Sequence, residues 1–188
     1  MIKTTADDAT FEMYVANITK VWNAASDADR IIGRSWYLVA HQLAEMITDG
    51  HARQGAGILA ALSPMQNWER NVELAKSAIA TGTPEGTFGD ALRKVTKIIA
   101  GADPEEILPM VAKTGMFFRL INDPSDPDAV VIDRHAHDVA VGTRYGSEDR
   151  GLSNAKRYAT LAHAYREAAR RLGELPSTVQ AVTWVAWR

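Results

Sequence analysis

Apolar residues return every three or four positions along almost the whole chain and alternate at two almost nowhere. That spacing fits one face of an α-helix and leaves no material for a sheet. Phe11, Tyr14, Val15, Ile18 and Val21-Trp22 mark a first helix, with Asp7 or Thr10 placed to cap it. Trp36, Val39-Ala40, Leu43 and Met46-Ile47 mark the inward face of a second, closed by Gly50. Ile58-Leu59-Ala60-Ala61-Leu62 is apolar all round, which predicts a buried helix ending at Ser63-Pro64. Asn67 is placed to cap the next, which carries Val72, Leu74-Ala75 and Ile79.

The run from Thr81 to Gly86 reads as a loop, and Phe88 to Ile99 as a helix. Asp103 followed by Pro104 opens a short helix, since proline at the first helical position gives up an N–H that has no partner there. Lys113 to Ile121 forms another, broken by Asn-Asp-Pro-Ser-Asp-Pro-Asp at residues 122–128. Val130-Val131-Ile132 is the one strand-like stretch, too short to build a sheet. Asp133 caps a helix through Val141, Tyr158 to Leu172 forms a long one stopped by Gly173, and Pro176 starts the last. The expectation is an all-α fold of about ten helices. Residues 1–188 read as a single helical domain, with two lobes and a cleft between them as one arrangement of it.

The composition narrows the chemistry. Hydrophobic residues make up 46% and charged residues 23%, a globular balance. With no cysteine there is no disulfide, thiolate nucleophile or cysteine-held iron–sulfur cluster, and no cofactor is expected. No leader-like or membrane-length apolar run is present, so the expectation is a cytoplasmic protein without a membrane partner. The net charge of -2 is uneven. Residues 1–133 hold 12 basic and 18 acidic side chains, and residues 134–188 hold 9 and 5. The basic C-terminal part suits phosphate, although Arg166, Arg170 and Arg171 equally suit a solvated helix face.

Several residues carry chemistry. Lys113 opens a helix and is either a surface lysine or an amine nucleophile. Asp133 is placed as an N-cap, which is compatible with a second, catalytic role. Arg134 and His137 share a helix face, with His135 and Asp138 beside them. That predicts a surface group able to hold phosphate; a metal is not expected. Gln180, Trp184, Trp187 and Arg188 fall on one side of the last helix, either docking the C-terminus or offering a stacking platform.

Three blocks, in order, resemble the helix-hairpin-helix DNA glycosylase superfamily, the fold of endonuclease III and 8-oxoguanine glycosylase. Residues 58–79, "ILAALSPMQNWERNVELAKSAI", are similar to its early helix pair. Residues 107–121, "ILPMVAKTGMFFRLI", resemble its hairpin, LPGVGxKTA, with Lys113-Thr114 on the lysine-threonine of that motif. Residues 130–146, "VVIDRHAHDVAVGTRYG", resemble its VDTHVxRVxxRLG, with Asp133 on the catalytic aspartate. The hairpin departs from the pattern in reading Met110-Val111-Ala112, without glycine. The wording "IDRHA" and the C-terminal "QAVTWVAWR" look more like a divergent branch of small phage and actinobacterial proteins.

The resemblance implies DNA as partner and action on a modified or damaged base. Lys113 would be the nucleophile that forms a Schiff base, and Asp133 its assistant. Gln66, Asn67, Trp68 and Phe117 would face the substrate, with Arg134, His135, His137, Gln180 and Trp184 on DNA or substrate. For Trp68, Phe117 and Phe118, core packing is the alternative. Relatives of this fold also suggest a transferase or pyrophosphorylase acting on an activated 5-hydroxymethyl pyrimidine, with Arg134, His135 and His137 holding the pyrophosphate. A binding module without chemistry is the third expectation.

Overall fold

The computed structural model describes residues 7–188. Among them the regular structure is helical throughout, in ten helices: α1 (Asp8–Ala24), α2 (Asp27–Ile47), α3 (Ala52–Leu62), α4 (Trp68–Thr81), α5 (Gly89–Ile99), α6 (Pro104–Ile107), α7 (Lys113–Asn122), α8 (Arg134–Val141), α9 (Ala155–Leu172) and α10 (Pro176–Trp187). The all-α expectation holds, and so do its stop and start signals. Asp7, Asn67, Asp103 and Asp133 all cap with their side chains. Gly142 and Gly173 take the left-handed conformation just past α8 and α9, where an L side chain would be strained.

The chain divides into two compact units, Met1–Trp36 with Ser125–Arg188, and Tyr37–Pro124. In the first, α1 packs on α8, α9 and α10, and α10 packs on α8 and α9. Ile18, Val139, Leu161, Tyr165, Val179 and Val182 are sealed from solvent at its centre. Val130-Val131-Ile132 runs buried into α8 without becoming a strand. Ile132 N–H donates to the Tyr158 hydroxyl at 3.1 Å, so a side chain satisfies a backbone group that a sheet would otherwise pair.

In the second unit α3 is central and touches α4, α5, α6 and α7. Every residue of α3 from Gly55 to Leu62 is buried, which is why its sequence is apolar on all sides. Two glycines allow the close approach. A Cβ on Gly57 would lie 2.5 Å from the Pro104 ring, and one on Gly55 would lie 2.3 Å from the Ala44 carbonyl oxygen.

Helix α2 corrects one expectation. Val39 and Met46, read as part of its inward face, are 55% and 64% exposed. The buried side is instead Gly33, Tyr37, Ala40, Ala44 and Thr48. Small residues win the inner face because the backbones come very close: a Cβ on Gly33 would lie 2.5 Å from the Val182 Cα.

Candidate functional site

The first unit gathers the expected chemistry around the start of α8. Asp133 stands in extended conformation before the helix. Its Oδ1 accepts the backbone N–H groups of His135 at 3.0 Å and Ala136 at 2.9 Å. Its Oδ2 accepts the Trp184 indole N–H at 3.1 Å. A carboxylate at a helix N-terminus is favoured by the helix dipole as well as by these bonds. Trp184 is itself held on several sides. The Trp36 and His135 rings meet it edge-on at 6.4 and 5.9 Å, and the Arg188 guanidinium lies 4.2 Å from its ring centre.

Arg134 is exposed and donates through Nε to His135 Nε2 at 3.2 Å. A guanidinium only donates, so His135 Nε2 is the accepting nitrogen and the ring proton sits on Nδ1. Burial pushes the His135 pKa down; the Arg134 and Arg188 charges push the same way, against the opposing pull of Asp133. At neutral pH this imidazole is uncharged. The assembly is therefore an anchored carboxylate, a neutral imidazole, an indole and two arginine cations on one end of α8 and α10.

His137 does not join it. The expected surface group of Arg134, His135 and His137 is corrected here, because His137 is sealed from solvent. Its Nδ1 lies 2.8 Å from Asp138 Oδ1 and its Nε2 lies 2.8 Å from an Arg157 guanidinium nitrogen. Arg157 can only donate, so His137 is neutral and donates from Nδ1 to Asp138. Burial lowers its pKa, and Arg157 lowers it further against the pull of Asp138. Asp138 also receives both Nε and one terminal nitrogen of Arg150, at 2.7 and 2.8 Å, and the Tyr145 N–H at 3.0 Å. Burial alone would raise the Asp138 pKa; the bonds from Arg150, His137 and Tyr145 outweigh it and hold the group at about 2. This network ties residues 143–157 to α8. Sequence reading missed Arg150, Arg157 and Tyr145, because they lie in or beside an irregular segment with no spacing rule to reveal them.

The second unit places the other expected residues. Lys113 is exposed and is the first residue of α7. The residue before it, Ala112, caps nothing with its side chain. The turn between α6 and α7 folds back tightly on α7. A Cβ on Gly115 would lie 2.4 Å from the Met110 Cα and 2.5 Å from the Pro109 oxygen. Val111 stands at the tip, 86% exposed.

Trp68 opens α4 half-buried, with its ring 6.3 Å from that of Phe117, and Tyr37 meets Phe117 at 6.4 Å. Both contacts are edge-to-face, so Phe117 is packed between aromatics. Phe118 is wholly buried, with Arg53 over its ring at 5.3 Å. Asn67 accepts the Arg70 N–H at 2.8 Å, a cap, and Gln66 lies half-buried in the preceding turn. Gln180, in the first unit, is 5% exposed and faces inward with the α10 core rather than outward with Trp184 and Arg188. Among the described residues no group of three or more His, Asp or Glu side chains is arranged to hold a metal ion, and no helix is long and apolar enough to cross a membrane.

The model of one protein family matches residues 1–188, the whole chain. The chain belongs to the DUF7178 family. Its description is a family of unknown function, so DUF7178 membership assigns no chemistry to Asp133 or Lys113. No curated protein and no solved structure matches the chain.

Proposed function

We propose that this protein is a DNA glycosylase-like enzyme acting on a modified or damaged base, with Lys113 as nucleophile and Asp133 as the assisting carboxylate. The observation that carries the reading is Asp133. It is fixed by two backbone N–H groups and an indole, flanked by a neutral imidazole and two arginines, in the sequence block that resembles the family's catalytic aspartate. A carboxylate fixed in this way meets positive charge developing on a sugar without having to reorganise. Arg134 and Arg188 supply charge for backbone phosphates. Lys113 contributes a primary amine that is exposed at the start of its helix.

In this reading the Lys113 Nζ attacks C1′ as the N-glycosidic bond breaks. The bonding pair leaves with the base, which takes up a proton from solvent. Loss of the amine protons and opening of the sugar ring give a Schiff base. The target nucleotide must leave the stack for any of this to occur.

The test is a borohydride trap with oligonucleotides carrying an abasic site or one of a panel of modified bases. A covalent adduct that Lys113→Ala abolishes and Asp133→Asn reduces about 100-fold or more supports the reading. Folded protein that gives no adduct on any substrate ends the role of Lys113. The second reading, group transfer to an activated pyrimidine in DNA, is favoured by the two arginines beside Asp133. It expects a nucleoside of increased mass, unaffected by Lys113→Ala. With His137 buried, its pyrophosphate contacts reduce to Arg134, His135 and Arg188.

A further inference from the structure

Helix α2 is built inside out for a helix of a monomer. Its buried side carries Gly33, Ala40 and Ala44 around Tyr37; Leu43 and Ile47 are half-buried, while its other large aliphatic residues face solvent. Ile31 is 69% exposed, Ile32 51%, Leu38 50%, Val39 55% and Met46 64%. At 3.6 residues per turn these five, with Ser35 and Gln42, fall within an arc of about 120° and run for about 22 Å along the axis. An apolar stripe of this length, interrupted only by Ser35 and Gln42, is a contact surface rather than scattered surface hydrophobicity.

The order of residues on the stripe selects the partner. Reading outward from the middle, Leu38 and Val39 are followed by Ser35 on one side and Gln42 on the other, then by Ile31 and Met46. Apolar, polar and apolar positions are therefore symmetric about the Leu38–Val39 midpoint. A second α2 laid antiparallel brings Leu38 onto Val39, Ser35 onto Gln42 and Ile31 onto Met46. This is the self-complementary pattern that a two-fold interface requires.

The charges on the rim agree. Arg34 and Glu45 border the stripe on the same side, and both are exposed. Antiparallel pairing sets Arg34 of one copy within about 3 Å, along the axis, of Glu45 of the other. Parallel pairing about a two-fold would put these rims on opposite sides of the interface, where Arg34 and Glu45 of the two copies do not meet. Arg34 is already oriented by Glu174, with contacts at 3.0 and 2.5 Å.

We propose that α2 is the interface of a homodimer, in which two copies pair antiparallel through Ile31, Leu38, Val39 and Met46. One pair of helices lies at the small end of interface size, so the dimer dissociates on dilution. The inference is independent of the reaction proposed above.

Sedimentation over a dilution series tests it. The natural protein passes from monomer to dimer as concentration rises, and Leu38→Glu raises the dissociation constant about 100-fold or more while leaving the helical circular dichroism unchanged. A monomer at every concentration overturns the proposal, and so does a dimer indifferent to Leu38→Glu. A stripe that instead captures a different protein, with no self-association, overturns it as well.

The chain has no cysteine, so direction is read by single replacements. Leu38→Cys forms a disulfide-linked dimer. Ile31→Cys does not cross-link alone, since two copies of that position lie about 22 Å apart in the antiparallel pair. It does cross-link when mixed with Met46→Cys chains. Cross-linking of Ile31→Cys with itself overturns the antiparallel arrangement.

Discussion

Helix α8 begins on a carboxylate that accepts two of its backbone N–H groups and an indole N–H. Helix α7 begins on an alanine whose side chain accepts none. Both starts carry a residue of chemical interest, Asp133 in one and Lys113 in the other. At α8 the orphan donors of the first turn are met from inside the protein, and the group that meets them is fixed in place. At α7 the residue before the helix supplies no side-chain acceptor for them, and Lys113 is exposed at the first helical position. The contrast separates a preorganised group, whose position is part of the fold, from a presented group, whose position is not. Changes near α8 are therefore expected to cost stability, and changes at Lys113 are expected to leave it nearly unchanged.

The largest cost is expected one turn into α8, at Asp138. This carboxylate is 4% exposed and carries Arg150, His137 and the Tyr145 N–H together. Asp138→Ala leaves the Arg150 charge and a buried imidazole N–H without their acceptor, and costs about 3–5 kcal/mol in chemical denaturation. The same site sets an acid limit. The Asp138 pKa stands at about 2 in the fold against 3.8 for the ordinary group, so the unfolded chain binds the proton first. Its contribution, about 2 kcal/mol, is whole above pH 5 and is lost as pH falls through 4 toward 2. His137, also lowered, adds a loss that begins as pH falls below 6.5. Stability measured from pH 7 to 2 shows both, and Asp138→Asn lacks the drop between 4 and 2.

How legible these features were depended on spacing. The caps at Asp7, Asn67, Asp103 and Asp133 were readable because capping is local: side-chain type and the residues just after it decide the bond. The buried α3 was readable from its unbroken apolar run. The orientation of α2 was not. Periodicity finds a face but does not say which of two faces is inward when small residues compete with large ones, and Gly33 and Ala44 win by permitting close backbone contact. The Asp138 network was equally hidden, since Arg150 and Arg157 reach it across a loop whose path no local rule supplies. At the candidate site, Asp133 was marked by its capping position, whereas its bond to Trp184 joins residues 51 apart in sequence.

Exchanging the two helix starts sharpens the comparison. Asp133→Ala removes both the cap and the acceptor of the Trp184 indole N–H, and is expected to cost about 1–2 kcal/mol. Ala112→Ser supplies α7 with the acceptor it lacks. The backbone there is already extended, with φ of -112° and ψ of 174°, as an N-cap requires. The gain is about 1 kcal/mol in thermal or denaturant unfolding. If neither change moves stability in the stated direction, the difference between the two starts is not one of capping. If Ala112→Ser also weakens DNA binding, the first-turn N–H groups of α7 are engaged by the ligand.

Lys113→Ala is expected to have the smallest effect on the fold, within about 0.5 kcal/mol, because an exposed side chain contributes little. That is what makes it the clean test of function. Loss of a borohydride adduct in Lys113→Ala cannot then be blamed on unfolding, whereas the same loss in Asp133→Asn must first be compared with its stability. Lys113→Arg divides the remaining possibilities. It keeps a cation at the start of α7 but removes the amine. An arginine that preserves DNA binding and loses the adduct assigns Lys113 to bond formation. One that preserves both assigns it to phosphate alone and moves the covalent step to another primary amine of the chain, since the Asp133 carboxylate forms no reducible imine.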